Sequence, residues 1–411
     1  MLTLRCSQAC HMGKAISLLF LISSVAVVAA PAQTLTVLYS FTGGVDGGYP
    51  AEGLVRDSTG NLYGTTQSGG TGSCTQDGLN GCGTVFKVAD QGAETVLYSF
   101  QGGSDGASPW GALTADKNGN LFGTATDGGL GFGVVFKLET SGVETVLHRF
   151  AGGVDGGTPY GGLSIDSEGN LYGTSDAGGD LSCGYEGSGC GTVFKLSANR
   201  GTVLHRFAGA PLDGNYPAYG NVLISDNGVV YGVTAQGGLT DQGSLYKVDR
   251  NGKLTILYSF LGGGDGCGPA GSLASDEEGN LYGTTSGCSL GGGTVYKFSE
   301  TEGLTTLYSF GGAGGSLDGY GPFAGVIRDH DGNLYGTTLF GGGACDRSWS
   351  ECGTIFKLSP TAGMTILYRF DGFNGGGSPW GNVIKDSAGN LYGTTSIGGD
   401  GGAGTVWKLT P

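Results

Sequence analysis

The sequence predicts an all-β fold, a seven-bladed β-propeller with four antiparallel strands in each blade. The segment LYSF, or a close variant, occurs seven times at intervals of 50 to 60 residues. Each repeat unit contains four short β-type segments, the number that a propeller blade needs. No 3.6-residue apolar period follows the first 32 residues, which argues against a helical solenoid. The seven copies end at Phe41, Phe100, Phe150, Phe207, Phe260, Phe310 and Phe370.

The lengths of the connections predict the order of the strands. GLVRD, NLYGTT, GTVFKV and TVLYSF follow one another in each unit, and Gly- and Pro-rich chain long enough to cross to the next blade comes after LYSF. We therefore expect these strands to run from the axis to the rim. The last unit ends at GTVWKL, residues 404–409, without an outer strand, whereas residues 36–41 have no blade of their own. We expect the N-terminal strand to close the last blade and remove the free edge; seven sequential blades without this exchange are the alternative.

The first 32 residues have the order of a secretory signal. Arg5 and Lys14 precede the apolar run AISLLFLISSVAVVAA, and small residues flank Pro31. We expect residues 1–32 to be cleaved as a signal peptide and residues 33–411 to form a single propeller domain. An uncleaved anchor is the alternative, but sixteen apolar residues are short for a bilayer span. The prediction is a secreted or periplasmic, extracytoplasmic protein with no membrane span after cleavage.

Eight cysteines remain after Cys6 and Cys10 leave with the signal, and they form four close pairs. In an exported protein such pairs indicate disulfide bonds. A zinc site would need two-residue spacings or histidine partners, which the pairs lack. The predicted bonds are Cys74–Cys82, Cys183–Cys190, Cys267–Cys288 and Cys345–Cys352.

Composition and charge exclude several classes of function. Hydrophobic residues make up 38% of the chain and charged residues only 13%, which is too apolar for a disordered protein despite 89 glycines. The formal net charge is −15, with 20 basic and 35 acidic residues. Such a charge disfavours binding to nucleic acid or to anionic membranes. We expect a monomer whose partner is a glycan or a protein.

Two further positions recur around the predicted ring. A tight turn with an Asp-x-x-Gly pattern joins the first two strands in six units, and a lysine occupies one position of the third strand in all seven. We expect these lysines to pair with the turn aspartates, each pair contributing ~0 to 1 kcal/mol. The aspartates are Asp57, Asp116, Asp166, Asp276, Asp329 and Asp386; the lysines are Lys87, Lys137, Lys195, Lys247, Lys297, Lys357 and Lys408.

The ordered motif LYSF, Gly-Gly-x-Asp-Gly, D-x-x-G-N-L-Y-G-T-T and GTVFKL resembles the tandem GloVer (Gloeo-Verruco) repeat of extracytoplasmic bacterial proteins. The resemblance covers essentially the whole chain after the signal, and the strand spacing is also similar to that of NHL-like β-propellers. It implies export, repetition and a propeller fold. It does not imply a particular biochemical role.

The loops that enter the inner strands carry the candidate ligand-binding residues. Aspartate before glycine forms an Asx turn, and we favour this structural role over calcium or ligand binding. Aromatic residues follow the loop prolines near the channel mouth, where they could stack on sugars or pack the strand tops. The aspartates are Asp46, Asp105, Asp155, Asp213, Asp265 and Asp318, with Asn374 in the seventh unit; the aromatic residues are Trp110, Tyr160, Tyr219, Phe323 and Trp380.

These residues favour a non-enzymatic, exported propeller repeat protein that is a binding scaffold for a glycan or protein. The alternative is an extracytoplasmic hydrolase or lyase with a carboxylate or calcium site at the channel mouth. An enzyme should break the sevenfold symmetry at one place, and Arg347, Trp349 and Glu351 are the best such departures. His148 and His205 stand where other units have the tyrosine of LYSF. We expect no catalytic residue and no cofactor; a bound calcium ion is the alternative.

Overall fold

The computed structural model of the chain describes residues 33–411 apart from positions 51, 77–78, 185–186, 199, 212, 218, 289–290, 312–316 and 344–351. The predicted signal peptide, Cys345, Arg347, Trp349 and Glu351 lie outside the described residues. The strands form seven blades of four antiparallel strands arranged as a propeller, which confirms the predicted fold. Within the described residues, no helix is long and apolar enough to cross a membrane.

The first three blades follow the predicted order from axis to rim. Blade one contains Val55–Arg56, Leu62–Thr66, Thr84–Val88 and Glu94–Ser99. Blade two contains Thr114–Ala115, Leu121–Ala125, Val134–Leu138 and Glu144–Arg149. Blade three contains Ser164–Ile165, Leu171–Ser175, Thr192–Ser197 and Arg200–Arg206. A two-stranded ribbon, Thr75–Gln76 with Leu79–Asn80, and a 3₁₀ turn, Gly153–Asp155, lie in loops.

The remaining blades keep this order. In blade four the inner strand is split into Gly214–Pro217 and Leu223–Ile224, followed by Val230–Gly237, Ser244–Val248 and Leu254–Ser259. Blade five contains Pro269–Ser275, Leu281–Thr285, Thr294–Ser299 and Gly303–Ser309. Blade six contains Ile327–Arg328, Leu334–Thr338, Thr354–Ser359 and Gly363–Arg369. Blade seven contains Ile384–Lys385, Leu391–Thr395, Thr405–Thr410 and the N-terminal Thr34–Ser40.

The N-terminal strand closes the ring, as the sequence predicts. It pairs antiparallel with the last strand, so that Thr34 lies opposite Thr410 and Ser40 lies opposite Thr405. The two ends of the domain therefore complete one blade. This pairing removes the edges that an open ring of sheets would leave unpaired.

The core lies between neighbouring blades. The phenylalanine that ends each outer strand packs against the aromatic residue in the third strand of the next blade; Phe41 lies edge-on to Phe86 with ring centres 4.9 Å apart. Gly64 makes room for this contact, because a Cβ atom there would lie 2.6 Å from Phe86. The other six pairs are Phe100–Phe136, Phe150–Phe194, Phe207–Tyr246, Phe260–Tyr296, Phe310–Phe356 and Phe370–Trp407.

Hydrogen bonds also join the blades near the axis. The first threonine of the NLYGTT segment donates its hydroxyl to a carbonyl oxygen in the inner loop of the next blade. Thr124 donates to Gly161 at 2.9 Å and Thr394 donates to Glu52 at 3.0 Å. Each such bond fixes the start of an inner strand against the neighbouring sheet.

The predicted lysine–aspartate pairs are wrong. In the described residues, no ion pair joins a repeat lysine to a turn aspartate. The Asp57 carboxylate instead accepts hydrogen bonds from the Asn61 amide at 2.7 Å and the Tyr63 hydroxyl at 3.0 Å. The ammonium group of Lys87 lies 6.0 Å from the centre of the Tyr63 ring. The Lys87 side chain therefore lies over the Tyr63 ring. The Tyr63 hydroxyl, rather than the lysine, is bound to the Asp57 carboxylate.

Candidate functional site

Five aromatic side chains meet at one mouth of the channel, where the inner strands begin. We call them the mouth arc. Trp110 contacts Tyr160 and Trp380, with ring centres 5.8 and 6.0 Å apart. Tyr219 extends the arc from Tyr160 at 5.5 Å, and Phe323 extends it from Trp380 at 5.1 Å. All five are half-buried, so each supports its neighbours and keeps part of its ring accessible.

The backbone before four of the five arc residues, all but Phe323, has an unusual conformation. A non-glycine residue with positive φ precedes the loop proline at five inner loops, and at Thr158 φ is 52°. Left-handed backbone costs about 1–3 kcal/mol for such residues and is found where the surrounding structure requires it, commonly at functional sites. The N–H of Thr158 is held by the carbonyl oxygen of Phe132 at 2.8 Å. The five residues are Tyr49, Ser108, Thr158, Tyr216 and Ser378.

Disulfides lie against the loops that carry the arc. The structure contains Cys74–Cys82, Cys183–Cys190 and Cys267–Cys288, as predicted, while the fourth predicted pair reaches outside the described residues through Cys345. The carbonyl oxygen of Cys82 accepts the N–H of Ser108 at 2.9 Å, two residues before Trp110. The oxygens of Cys190 and Cys352 accept the N–H groups of Tyr216 and Ser378 in the same way.

Two carboxyl groups beside the arc break the sevenfold symmetry. Glu52 is only 7% exposed, and burial raises its pKa to about 8 against the opposing effect of the Gly53 N–H. Burial also raises the pKa of the half-buried Asp176 to about 7. Burial, followed by the charges of Asp176, Tyr160 and Glu52, raises the pKa of Tyr219 to about 12. The arc therefore borders two groups that exchange protons near neutral pH.

Sequence reasoning missed both carboxyl groups. When the seven units are aligned, Glu52 stands at a position that is glycine in five other units and alanine in one. That comparison is the signal that could have revealed it. Asp176 stands at a position that varies among the units. Its proximity to Tyr219 therefore becomes visible only in the folded structure. The glycines are Gly111, Gly161, Gly220, Gly271 and Gly381, and the alanine is Ala324.

The predicted ring of aspartates lies at the outer-strand ends of the same face. The Asp265 carboxylate accepts the Tyr258 hydroxyl at 3.0 Å and the Leu261 N–H at 2.8 Å. Asp46, Asp105 and Asp318 accept a tyrosine hydroxyl in the same manner. These bonds account for the aspartates as loop caps, and their role in ligand binding stays a prediction. Among the described side chains, no group of three or more His, Cys, Asp or Glu residues could hold a metal ion.

Histidine replaces tyrosine at two of these caps. His205 Nε2 lies 2.9 Å from Asp213 Oδ2, and His148 Nε2 lies 3.2 Å from Asp155 Oδ2. The imidazole nitrogen thus takes the place of the tyrosine oxygen. This geometry confirms the interpretation of both histidines as tyrosine replacements in an outer strand.

Comparisons with known proteins agree with the repeat pattern. The Gloeobacter/Verrucomicrobia repeat matches residues 25–186 and 184–348. The structure of virginiamycin B lyase from Staphylococcus aureus is similar, with 13% identity, a TM-score of 0.59 and coverage of 92% of this chain and 99% of that one. Oligogalacturonate lyase from Vibrio parahaemolyticus is similar at 13% identity, a TM-score of 0.55 and coverage of 92% and 93%.

These likenesses differ in what they establish. At 13% identity the two solved structures show a shared fold and nothing about activity. No curated protein sequence matches the chain. The repeat, in contrast, matches from residue 25 to residue 348 and thus well over half of the sequence. The chain belongs to the Gloeobacter/Verrucomicrobia repeat family.

Proposed function

We propose that this propeller is an exported, non-enzymatic protein that binds a carbohydrate at the mouth arc. The observation that carries the proposal is the continuous row of five half-buried aromatic rings at the channel mouth. The apolar faces of sugar rings stack on such side chains, and nearby polar groups bind the hydroxyls. Glu52, Asp176 and the hydroxyls of Tyr160 and Tyr219 supply those polar groups. Because the supporting loops are hydrogen-bonded to neighbouring blades, little ordering is needed on binding.

Export is part of the proposal. Three disulfides are consistent with an oxidising, extracytoplasmic location. We propose that cleavage after Ala32 releases the propeller into the periplasm or the medium. Mass spectrometry of the protein recovered from these fractions should give a chain that begins at Gln33.

One observation favours a second candidate, a hydrolase or lyase. A carboxyl group whose pKa is raised to about 8 by burial, as in Glu52, is protonated at neutral pH and can act as a general acid. The similar solved structures include two lyases, but a shared fold does not transfer an activity. The two candidates differ in whether a bound glycan is cleaved.

A binding screen with a product assay distinguishes the candidates. Residues 33–411 are run through native gels that contain single polysaccharides, and the same polysaccharides are analysed for released oligosaccharides. Binding without products supports the non-enzymatic proposal. Products that disappear in Glu52→Gln, with binding retained, would instead establish the enzyme. Migration unchanged by every polysaccharide contradicts both candidates.

A further inference from the structure

A basic side chain from one blade lies against a tyrosine–aspartate pair of the preceding blade at three boundaries. It is the residue at the end of the short inner strand. Lys385 Nζ lies 2.7 Å from Asp329 Oδ2 and 4.5 Å from the centre of the Tyr335 ring. The boundary thus contains a partly buried attraction between a cation, a carboxylate and a ring. Arg328 lies over Tyr282 and Arg56 over Tyr392, with 5.7 and 5.5 Å between guanidinium carbon and ring centre.

The boundary between blades three and four has the pair without the cation. Tyr172 donates its hydroxyl to Asp166 Oδ2 at 3.0 Å, but the equivalent inner-strand position is Ile224. A cavity of about 290 Å³ opens here and is lined by all three residues and by the exposed Glu168 and Asp226. Ile224 packs against the buried hydrophobic cluster that contains Tyr172. Asp166 and Tyr172 both border the open space.

The Asp166 carboxylate can accept a further donor. Its Oδ2 atom accepts the Tyr172 hydroxyl and the Asn170 amide at 3.0 and 2.8 Å. Asp329 Oδ2 has the same two kinds of partner, at 3.0 and 3.1 Å, and still accepts Lys385. The two hydrogen bonds within the turn therefore do not use up the acceptor.

Two basic residues of the chain also line the cavity, and they leave room for a further cation. Lys195 Nζ lies 5.1 Å from the Tyr172 ring centre, and Arg250 is exposed beside the turn of blade four. In blade six, Lys357 lies 5.8 Å from the Tyr335 ring while Lys385 occupies its place against the same ring. A repeat lysine and a second cation thus coexist there. Three acidic residues face these two bases around the cavity.

We propose that this cavity, the blade three–four cleft, binds an organic cation from another molecule. A guanidinium or primary ammonium group of the ligand would bind the Asp166 carboxylate. It would provide the positive charge that Lys385 provides at the equivalent Asp329 carboxylate. Glu168 and Asp226 at the rim favour a positively charged group and offer carboxylates to a guanidinium fork. The cleft lies beside the tight turns, at the opposite end of the inner strands from the mouth arc. It is therefore independent of the proposed carbohydrate site.

Matched probes test the charge requirement. Nα-acetyl-arginine amide and its neutral isostere Nα-acetyl-citrulline amide are titrated into residues 33–411 and followed by NMR. We expect the arginine probe to bind at least tenfold more tightly. Asp226→Asn and Glu168→Gln should each weaken it at least threefold, whereas Arg250→Gln should tighten it. Equal affinity for both probes, or no response to any of these surface substitutions, would overturn the proposal.

Filling the cleft from within gives an independent test. Ile224→Arg recreates the residue found at Arg328 and should abolish binding of the arginine probe while leaving the melting temperature unchanged or higher. Full binding by a folded Ile224→Arg protein contradicts the proposal, and the surface variants decide the matter if this variant does not fold.

A Gly-Arg-Gly peptide that binds tenfold more tightly than the amide supports a polypeptide as the source of the cation. Equal binding of peptide and amide supports a small molecule.

Discussion

The backbone N–H of Ser108 donates to the carbonyl oxygen of Cys82 at 2.9 Å, which joins the loop of Trp110 to a disulfide of the preceding blade. The same type of bond leads from Cys190 to the loop of Tyr219. The disulfides of blades one and three therefore brace the mouth arc. Their placement connects the redox state of the protein to the proposed binding site.

Replacing Cys74 and Cys82 together by serine should weaken carbohydrate binding severalfold. The loop of Trp110 loses its fixed support, and the free energy of unfolding should fall by about 2 kcal/mol because the unfolded chain gains freedom. Gel retardation and urea unfolding measure the two effects. The matched control replaces Cys267 and Cys288, whose blade has Ala270 in place of an arc residue. That control should lose stability and keep its affinity; a parallel loss of affinity would show that bracing is not the cause.

Asp265→Ala should destabilise the protein by about 1–3 kcal/mol, because the N–H of Leu261 and the hydroxyl of Tyr258 lose their acceptor. Carbohydrate binding should not change, since the aspartate ring caps loops in this account. His205→Tyr should be nearly neutral in unfolding experiments because tyrosine occupies this position in other blades. A loss of binding in Asp265→Ala with the fold intact would return the aspartates to the site.

Stability should fall as the pH rises from 5 to 8. Burial, and then the charge of Asp46, raises the pKa of Glu94 to about 7, and burial with the charge of Asp105 raises that of Glu144 to about 7. Because these folded-state pKa values lie above the usual glutamate value, the folded protein binds more protons than the unfolded chain in this pH range. The free energy of unfolding therefore falls as the pH rises and the two glutamates lose their protons. Glu94→Leu should recover about 1 kcal/mol at pH 8, after allowance for partial exposure. Leu254 and Leu304 hold this position in other blades.

Urea unfolding at pH 5 and pH 8 measures this effect. Glu278→Gln, which removes an exposed charge, is the control and should change the pH dependence little. At lower pH the sign reverses. Burial raises the pKa of Asp386, but hydrogen bonds from Asn390 and Tyr392 outweigh it and hold that pKa below its usual range, so stability is lost as the pH falls below about 4. A flat profile between pH 5 and 8 would contradict the assignment of Glu94 and Glu144.

Removing residues 33–40 should open the ring and lower the free energy of unfolding by about 4 kcal/mol, from the lost burial of Leu35, Val37, Leu38 and Tyr39. A synthetic peptide of residues 33–40 should restore the melting temperature by pairing with the last strand. A peptide with Val37→Pro is the control, because proline cannot donate to the ladder. Unchanged stability after truncation would contradict ring closure by this strand.

The regular parts of the molecule could be predicted because seven copies repeat the same physical requirements. The loop lengths predicted the order of the strands. The missing outer strand after Leu409 predicted that the N-terminal strand closes the last blade. The lysine prediction failed because it considered charge alone, whereas the Tyr63 hydroxyl and Asn61 reach Asp57 first. The five residues of the mouth arc were predicted to lie near the channel mouth, but their contacts with one another were not predicted. The proximity of Asp176 to Tyr219 depends on how loops of two blades meet, which no repeat pattern encodes.

A calorimetric titration of tryptophan variants decides whether the mouth arc binds carbohydrate. The affinity of the polysaccharide found in the gel screen is measured by calorimetry for the wild type, Trp110→Ala, Trp380→Ala and Phe373→Ala, with melting temperatures confirming the fold. Phe373 is an exposed aromatic residue on an outer loop of the same face, 40% accessible, and serves as the control. We expect about tenfold weaker binding for each tryptophan variant and unchanged binding for Phe373→Ala. Wild-type affinity in both folded tryptophan variants would contradict it.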